Sequence, residues 1–118
     1  MTTKSISFVP RLLLSSPGPR KIGSQFKIMI ILDELSGDLN SLNEPIEINL
    51  WSSDHFKIKG QSVKEFSAGE IRKGSPCVFF TLEVVATATT RKAGVVAYFI
   101  HKGLPCGKIQ KHIEISDE

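Results

Sequence analysis

The chain has 118 residues, of which 41% are hydrophobic and 23% charged, enough apolar residues to fill the core of one globular domain. This composition argues against a disordered chain and predicts a single domain over residues 1–118. The net charge of +3 comes from scattered basic residues, so neither nucleic acid nor a membrane surface is an expected partner. Pro10 and Arg11 interrupt the first apolar stretch, so we expect no signal peptide and a cytoplasmic location.

Six segments are rich in β-branched and aromatic residues, and most of them alternate apolar and polar side chains with the two-residue period of a β-strand. Segment 25–33 carries Phe26, Ile28 and Ile30 on one face and a mixed set on the other. Segment 93–101 is apolar on both faces, which predicts a central strand. The remaining segments are 45–51, 55–60, 77–85 and 108–116. The predicted core residues are Phe26, Ile28, Ile30, Ile48, Leu50, Phe56, Phe80, Leu82 and Val95.

Turn-forming residues separate these segments, as in Ser16 to Pro19 and Lys73 to Pro76. No window of about 11 residues carries a convincing helical stripe, and residues 33–45 are predicted to be a loop. The pattern predicts an all-β antiparallel sandwich of about seven or eight strands, immunoglobulin-like in type. Within it, residues 101–104 are predicted to form a tight hairpin turn, because Gly103 tolerates a positive φ.

The residue types needed for catalysis are present, but their spacing does not indicate an active site. Cys77 and Cys106 are the only cysteines, and we expect both to be free, buried thiols. His101 and Cys106 could act as base and nucleophile, but no orienting acid is recognisable. The histidines and cysteines also lack the spacing of a zinc site. The sequence therefore predicts no catalytic residue, no metal and no cofactor.

Trp51 is the most informative candidate for a binding site. It lies in the polar phase of its strand, so either loop residues or a neighbouring domain cover it, or it is an exposed anchor for a partner. Asp54 and His55 follow it closely. Phe79 shares a second strand face that is too apolar for open solvent. Trp51, Asp54, His55 and Phe79 are therefore the candidate partner-binding residues.

The second half of the chain carries four patterns in a fixed order. They are Phe56-x-Ile58-x-Gly60, Val78 to Leu82, Gly94 to Phe99, and Lys102-Gly103-x-Pro105-x-Gly107. Over residues 45–115 this order resembles the small immunoglobulin-like β-sandwich modules of bacterial multidomain proteins. Those modules accompany caspase-like (CHAT) peptidase and other effector domains. The resemblance carries over no functional residue, but it implies an accessory role.

Two functions follow as hypotheses. The first is a non-enzymatic protein-interaction or scaffold module, which recognises an effector or peptidase in a bacterial conflict system. The alternative is a ligand-binding sandwich that recognises a carbohydrate or another small polar ligand through Trp51 and adjacent loops.

Overall fold

The structure is a computed structural model that describes residues 6–15, 20–39, 42–74, 76–85 and 93–115. Within these ranges the chain forms eight strands and one short helix. The elements are β1 (Ser7–Leu14), β2 (Gln25–Ser36), β3 (Ile46–Ser52), β4 (Phe56–Lys59), β5 (Val63–Phe66), α1 (Ala68–Lys73), β6 (Cys77–Val84), β7 (Gly94–His101) and β8 (Leu104–His112).

The strands form two four-stranded antiparallel sheets. The first sheet has the order β1-β2-β6-β4 and the second has the order β5-β3-β7-β8. The prediction of an all-β antiparallel sandwich with about eight strands is therefore confirmed. Of the predicted turns and loops, residues 16–19, 40–41 and Ser75 lie outside the described residues. The predicted loop over residues 33–45 begins later than expected, because β2 continues to Ser36. The described residues include no helix long and apolar enough to cross a membrane.

The core lies between the two sheets and is built from the alternation seen in the sequence. All nine predicted core residues are buried, and Ile28, Ile48 and Leu82 have no exposed surface. Phe26 of β2 meets Phe56 of β4 edge to face, with ring centroids 5.7 Å apart. Every second side chain of a strand therefore points into the core, and the side chains between them lie on the outer faces.

Two strands and the helix were not predicted, and each has a physical reason. β1 contains Pro10, a residue that is unfavourable in strands, and β5 has only four residues, two of them charged. The helix α1 is shorter than the window in which a helical stripe can be recognised. It begins at a capping box in which the Ser67 side chain accepts from the Glu70 backbone N–H at 3.1 Å. Ile71 then anchors the helix in the core.

The predicted hairpin joins β7 and β8. Lys102 and Gly103 have φ values of 54° and 75°, the positive values that a two-residue type I′ turn requires at both central positions. The register then shifts, because Ile100 pairs with Pro105 while Phe99 pairs with Gly107. Cys106 is therefore the extra residue of a β-bulge. Strand β8 lies at the edge of the second sheet, where a proline near the strand start is tolerated.

Gly94→Ala tests the close approach of β7 and β8. A Cβ atom at Gly94 would lie 2.6 Å from the Lys111 carbonyl oxygen, so backbone must move. We expect a loss of about 1–3 kcal/mol in the free energy of unfolding, measured by chemical denaturation. Gly69→Ala is the control, because its nearest neighbour would be a flexible Arg72 side-chain atom at 3.9 Å. That variant should be neutral or gain up to about 1 kcal/mol. Equal midpoints for the two variants would contradict the strand packing.

Candidate functional site

Trp51 is exposed on the outer face of the second sheet. Its neighbour Leu50 is buried, so the strand alternation directs the indole away from the core, and 64% of the residue remains accessible. The hypothesis that a loop covers Trp51 is therefore wrong. Across the sheet, Trp51 pairs with Val96 of β7, which in turn pairs with Gln110 of β8.

Tyr98 lies beside Trp51 on the same outer face and was missed by the sequence analysis. It pairs with Asn49, two residues before Trp51, so the two aromatic residues are diagonal neighbours on adjacent strands. Tyr98 is 41% exposed. The alternation along β7 places Tyr98 outward, because Ala97 and Phe99 on either side face the core. The apolar character of both faces of β7 hid this phase.

A groove of about 430 Å³ runs along this face. It combines the two aromatic side chains with groups able to donate or accept hydrogen bonds. Its lining includes Trp51, Tyr98, Lys108, Gln110, Lys111 and His112. Aromatic surface next to a few polar groups can both bury apolar area and orient a bound molecule.

Asp54 and His55 lie in the turn between β3 and β4, close to Trp51 in sequence but with different exposures. Asp54 is exposed, whereas His55 is only 7% exposed. The His55 Nδ1 atom lies 2.8 Å from Ser53 Oγ, which also accepts from the Gly94 backbone N–H at 3.2 Å. His55 is thus a buried part of the turn that ties β3 to β7, and its side chain is not presented to a partner.

Phe79 is on the opposite side of the sandwich, on the outer face of the first sheet. It is 49% exposed and aligns across the strands with Met29 and Leu13. The apolar face noted in the sequence is therefore partly open: Phe79 is exposed, while Met29 and Ile31 are half-buried. The four candidate residues do not form one site, because Trp51 and Phe79 belong to different sheets.

An ion pair borders the Phe79 face. Arg11 Nε donates to Asp33 Oδ2 at 2.7 Å, and both side chains are exposed. This hydrogen bond, followed by one from the Glu34 backbone N–H, holds the pKa of Asp33 below its ordinary value. The pair places two charged side chains beside the apolar row formed by Leu13, Met29 and Phe79, but exposed ion pairs add little to stability.

Both cysteines are free, as predicted, but the prediction that they are buried is wrong. Cys77 occupies the outward phase of β6, and Cys106 is the extra residue of the bulge, so neither faces the core. Although Cys106 is exposed, partial desolvation raises the pKa of its thiol. A raised pKa lowers the fraction of nucleophilic thiolate at neutral pH. Across the turn, the buried Nε2 atom of His101 has no hydrogen-bond partner among the described residues.

Within the part of the chain that the structure describes, no group of three His, Cys, Asp or Glu side chains could hold a metal ion. Comparisons of the chain with protein-family models, curated proteins and solved structures give no match. The resemblance to modules that accompany CHAT peptidases therefore stays a prediction. The outer face with Trp51 and Tyr98 is the candidate site that the geometry defines best.

The raised pKa of Cys106 predicts slow alkylation in the native protein. The Cys77→Ser variant leaves Cys106 as the one thiol, and its iodoacetamide reaction rate can be followed against pH. Because desolvation favours the neutral thiol, the midpoint of the profile should lie at higher pH in the folded protein than in the same variant unfolded in guanidinium. A lower midpoint in the folded protein would instead indicate an activated cysteine.

Proposed function

We propose that this domain is a non-enzymatic protein-interaction module that binds its partner through the outer face of the second sheet. The observation that carries the proposal is the exposure of Trp51, at 64%, beside the exposed Tyr98 on the next strand. Tryptophan is usually largely buried, and Trp and Tyr are enriched among the residues that dominate binding energy at protein interfaces.

The composition of this face fits an interface better than a structural surface. Trp51 and Tyr98 provide rigid apolar area, while Lys108 and Gln110 place polar groups at its margin. Neither aromatic side chain is needed to fill the core, since their strand neighbours Leu50, Ala97 and Phe99 already do so. Their apolar area therefore stays in contact with water without stabilising the fold, and a bound partner would bury that area.

The strand order supports an immunoglobulin-like topology for this module. If β1, β2, β6 and β4 correspond to strands A, B, E and D, then β3, β7 and β8 correspond to C, F and G of a constant-type domain. The fourth strand of the second sheet, β5, pairs with β3 but follows β4 in the chain, which departs from the usual order. An accessory role in a cytoplasmic bacterial conflict system, next to an effector or peptidase, is the setting that the sequence resemblance implies.

Carbohydrate binding is the second candidate function, and the groove favours it. An aromatic pair on a sheet, flanked by Gln110 and Lys108, offers apolar surface for a sugar ring and hydrogen-bond partners for its hydroxyl groups. The same Trp51 side chain would contact either ligand. Both functions therefore use the outer face with Trp51, and they differ in the ligand, which is a protein in one and a carbohydrate in the other.

Trp51→Ala should remove binding and leave the fold intact. An interface anchor of this type contributes about 2 kcal/mol or more, whereas its outward position contributes little to the core. The measurement is affinity capture from a lysate of the source organism, quantified by mass spectrometry, together with thermal melts. A protein retained by the wild type and lost by Trp51→Ala is the expected result.

Two matched variants serve as controls. Phe79→Ala removes an exposed aromatic side chain from the opposite sheet, so it should retain the captured protein. Phe80→Ala removes a buried ring, should cost about 3–5 kcal/mol and should lose binding only through unfolding. Loss of capture with Phe79→Ala but not with Trp51→Ala would move the interface to the first sheet. Glycan-array binding that depends on Trp51, without a captured protein, would favour the carbohydrate function.

A further inference from the structure

Strand β8 leaves part of its outer edge open. It is the last strand of the second sheet, and eight of its nine residues are exposed. Near its start, Gly107 lies against the Phe8 ring, since a Cβ atom there would be 3.5 Å from two of the ring carbons. Beyond its end, Arg20 pairs with Ile115. Between these contacts, no described strand pairs with the outer edge of β8 from Lys108 to His112.

The hairpin geometry determines which backbone groups face this edge. A two-residue turn is flanked by a hydrogen-bonded pair, here His101 and Leu104, and the two kinds of pair then alternate along the ladder. Allowing for the bulge residue Cys106, Phe99 and Gly107 form a hydrogen-bonded pair. Tyr98 and Lys108 form the next pair, in which both backbone groups point away from the partner strand.

Hydrogen bonds just beyond β8 follow the same alternation. The Ile113 N–H donates inward to the Ala93 carbonyl at 2.8 Å. The next carbonyl, that of Glu114, points outward and accepts from the Arg20 N–H at 2.9 Å. The backbone groups of Lys108, Gln110 and His112 share the phase of Glu114, so they point toward the open edge.

The charge of this edge restricts what can pair with it. The sequence of β8 contains Lys108, Lys111 and His112 and no Asp or Glu. Pairing with β8 of a second copy would bring these basic side chains together, and like charges on paired strands are destabilising. Lysines on an exposed edge disfavour pairing with other strands in general, and a strand that carries carboxylates can offset this effect by charge complementarity.

We propose that the Lys108–His112 edge binds an extended acidic segment of a partner protein as an added strand. Backbone hydrogen bonds to Lys108, Gln110 and His112 would hold the segment. Its carboxylates would meet Lys108 on the outer face, and Lys111 on the opposite face adds to the positive charge of the edge. The proposal rests on the proposed function as a protein-interaction module. It adds a second contact on the same sheet, since β8 is separated from the strand of Trp51 only by β7.

Two synthetic peptides test the charge requirement. Each has the length of β8 and alternates β-branched and charged residues, with Glu in one peptide and Lys in the other. The Glu peptide should bind at least about tenfold more tightly at low salt, and the difference should shrink as salt screens the charges. Amide resonances in NMR should change at Lys108, Gln110 and His112. Binding of neither peptide, equal binding of both, or changes confined to another strand would overturn the proposal.

A pair of substitutions at Gln110 tests the backbone pairing. Gln110→Pro removes an outward N–H and no hydrogen bond of the native ladder, whereas Gln110→Ala removes the same side chain and keeps the N–H. The proline variant should weaken binding of the Glu peptide about three- to tenfold, and the alanine variant should bind as the wild type does. Equal affinities for the two variants, both with wild-type melts, would exclude strand addition.

If Gln110→Pro does not fold, Lys108→Glu replaces it. That charge reversal leaves one glutamate and one lysine on the edge, so the preference for the Glu peptide should disappear, and an unchanged preference would overturn the proposal. Trp51→Ala should leave peptide binding unchanged, because β7 and β8 lie between Trp51 and the added strand. Loss of protein capture by Trp51→Ala alone tests the proposed function, so the two proposals can fail separately.

Discussion

The contact between the inward faces of the two sheets is the constraint on which the rest of the structure depends. Central strands β2 and β3 bury alternate side chains almost completely from Phe26 to Leu32 and from Ile46 to Leu50. A shift of one residue in either strand would move these side chains to the solvent face, so packing fixes the register strongly. The same constraint fixes the outer faces. Trp51 is exposed because Leu50 is buried, and the pairing of β3 with β7 then brings Tyr98 beside it.

Much of the fold could be predicted from the sequence, because packing of the two sheets requires apolar residues at alternate positions of most strands. The six predicted segments all contain strands, and Gly103 marked the hairpin turn. β1 and β5 lack the signal, because β1 contains Pro10 and β5 has only four residues, two of them charged, features that edge strands tolerate. The cysteines were placed wrongly because their type favours burial, whereas strand phase at Cys77 and a bulge at Cys106 decide their exposure.

The candidate site was only half accessible to sequence reasoning. Strand phase placed Trp51 on the outward face but left open whether it is covered, and no sequence pattern reveals which strands are neighbours in a sheet. Tyr98 joins Trp51, and Phe79 lies on the opposite sheet, only because β3 pairs with β7 while β6 pairs with β2. The open part of β8 likewise follows from its place at the end of the order β5-β3-β7-β8. Both proposed contacts therefore lie on the second sheet. The aromatic pair is on the central strands β3 and β7, and the basic edge is on the neighbouring strand β8.

The central claim is that Trp51 is held exposed on a folded sandwich. Trp51 is the only tryptophan in the chain, so its fluorescence reports on this one side chain. Acrylamide quenching of the native protein measures its accessibility directly. The account predicts quenching nearly as strong as in the same protein unfolded in guanidinium, together with native cooperative melting. Strong protection of Trp51 in the folded, isolated protein would contradict the account and return this residue to the core.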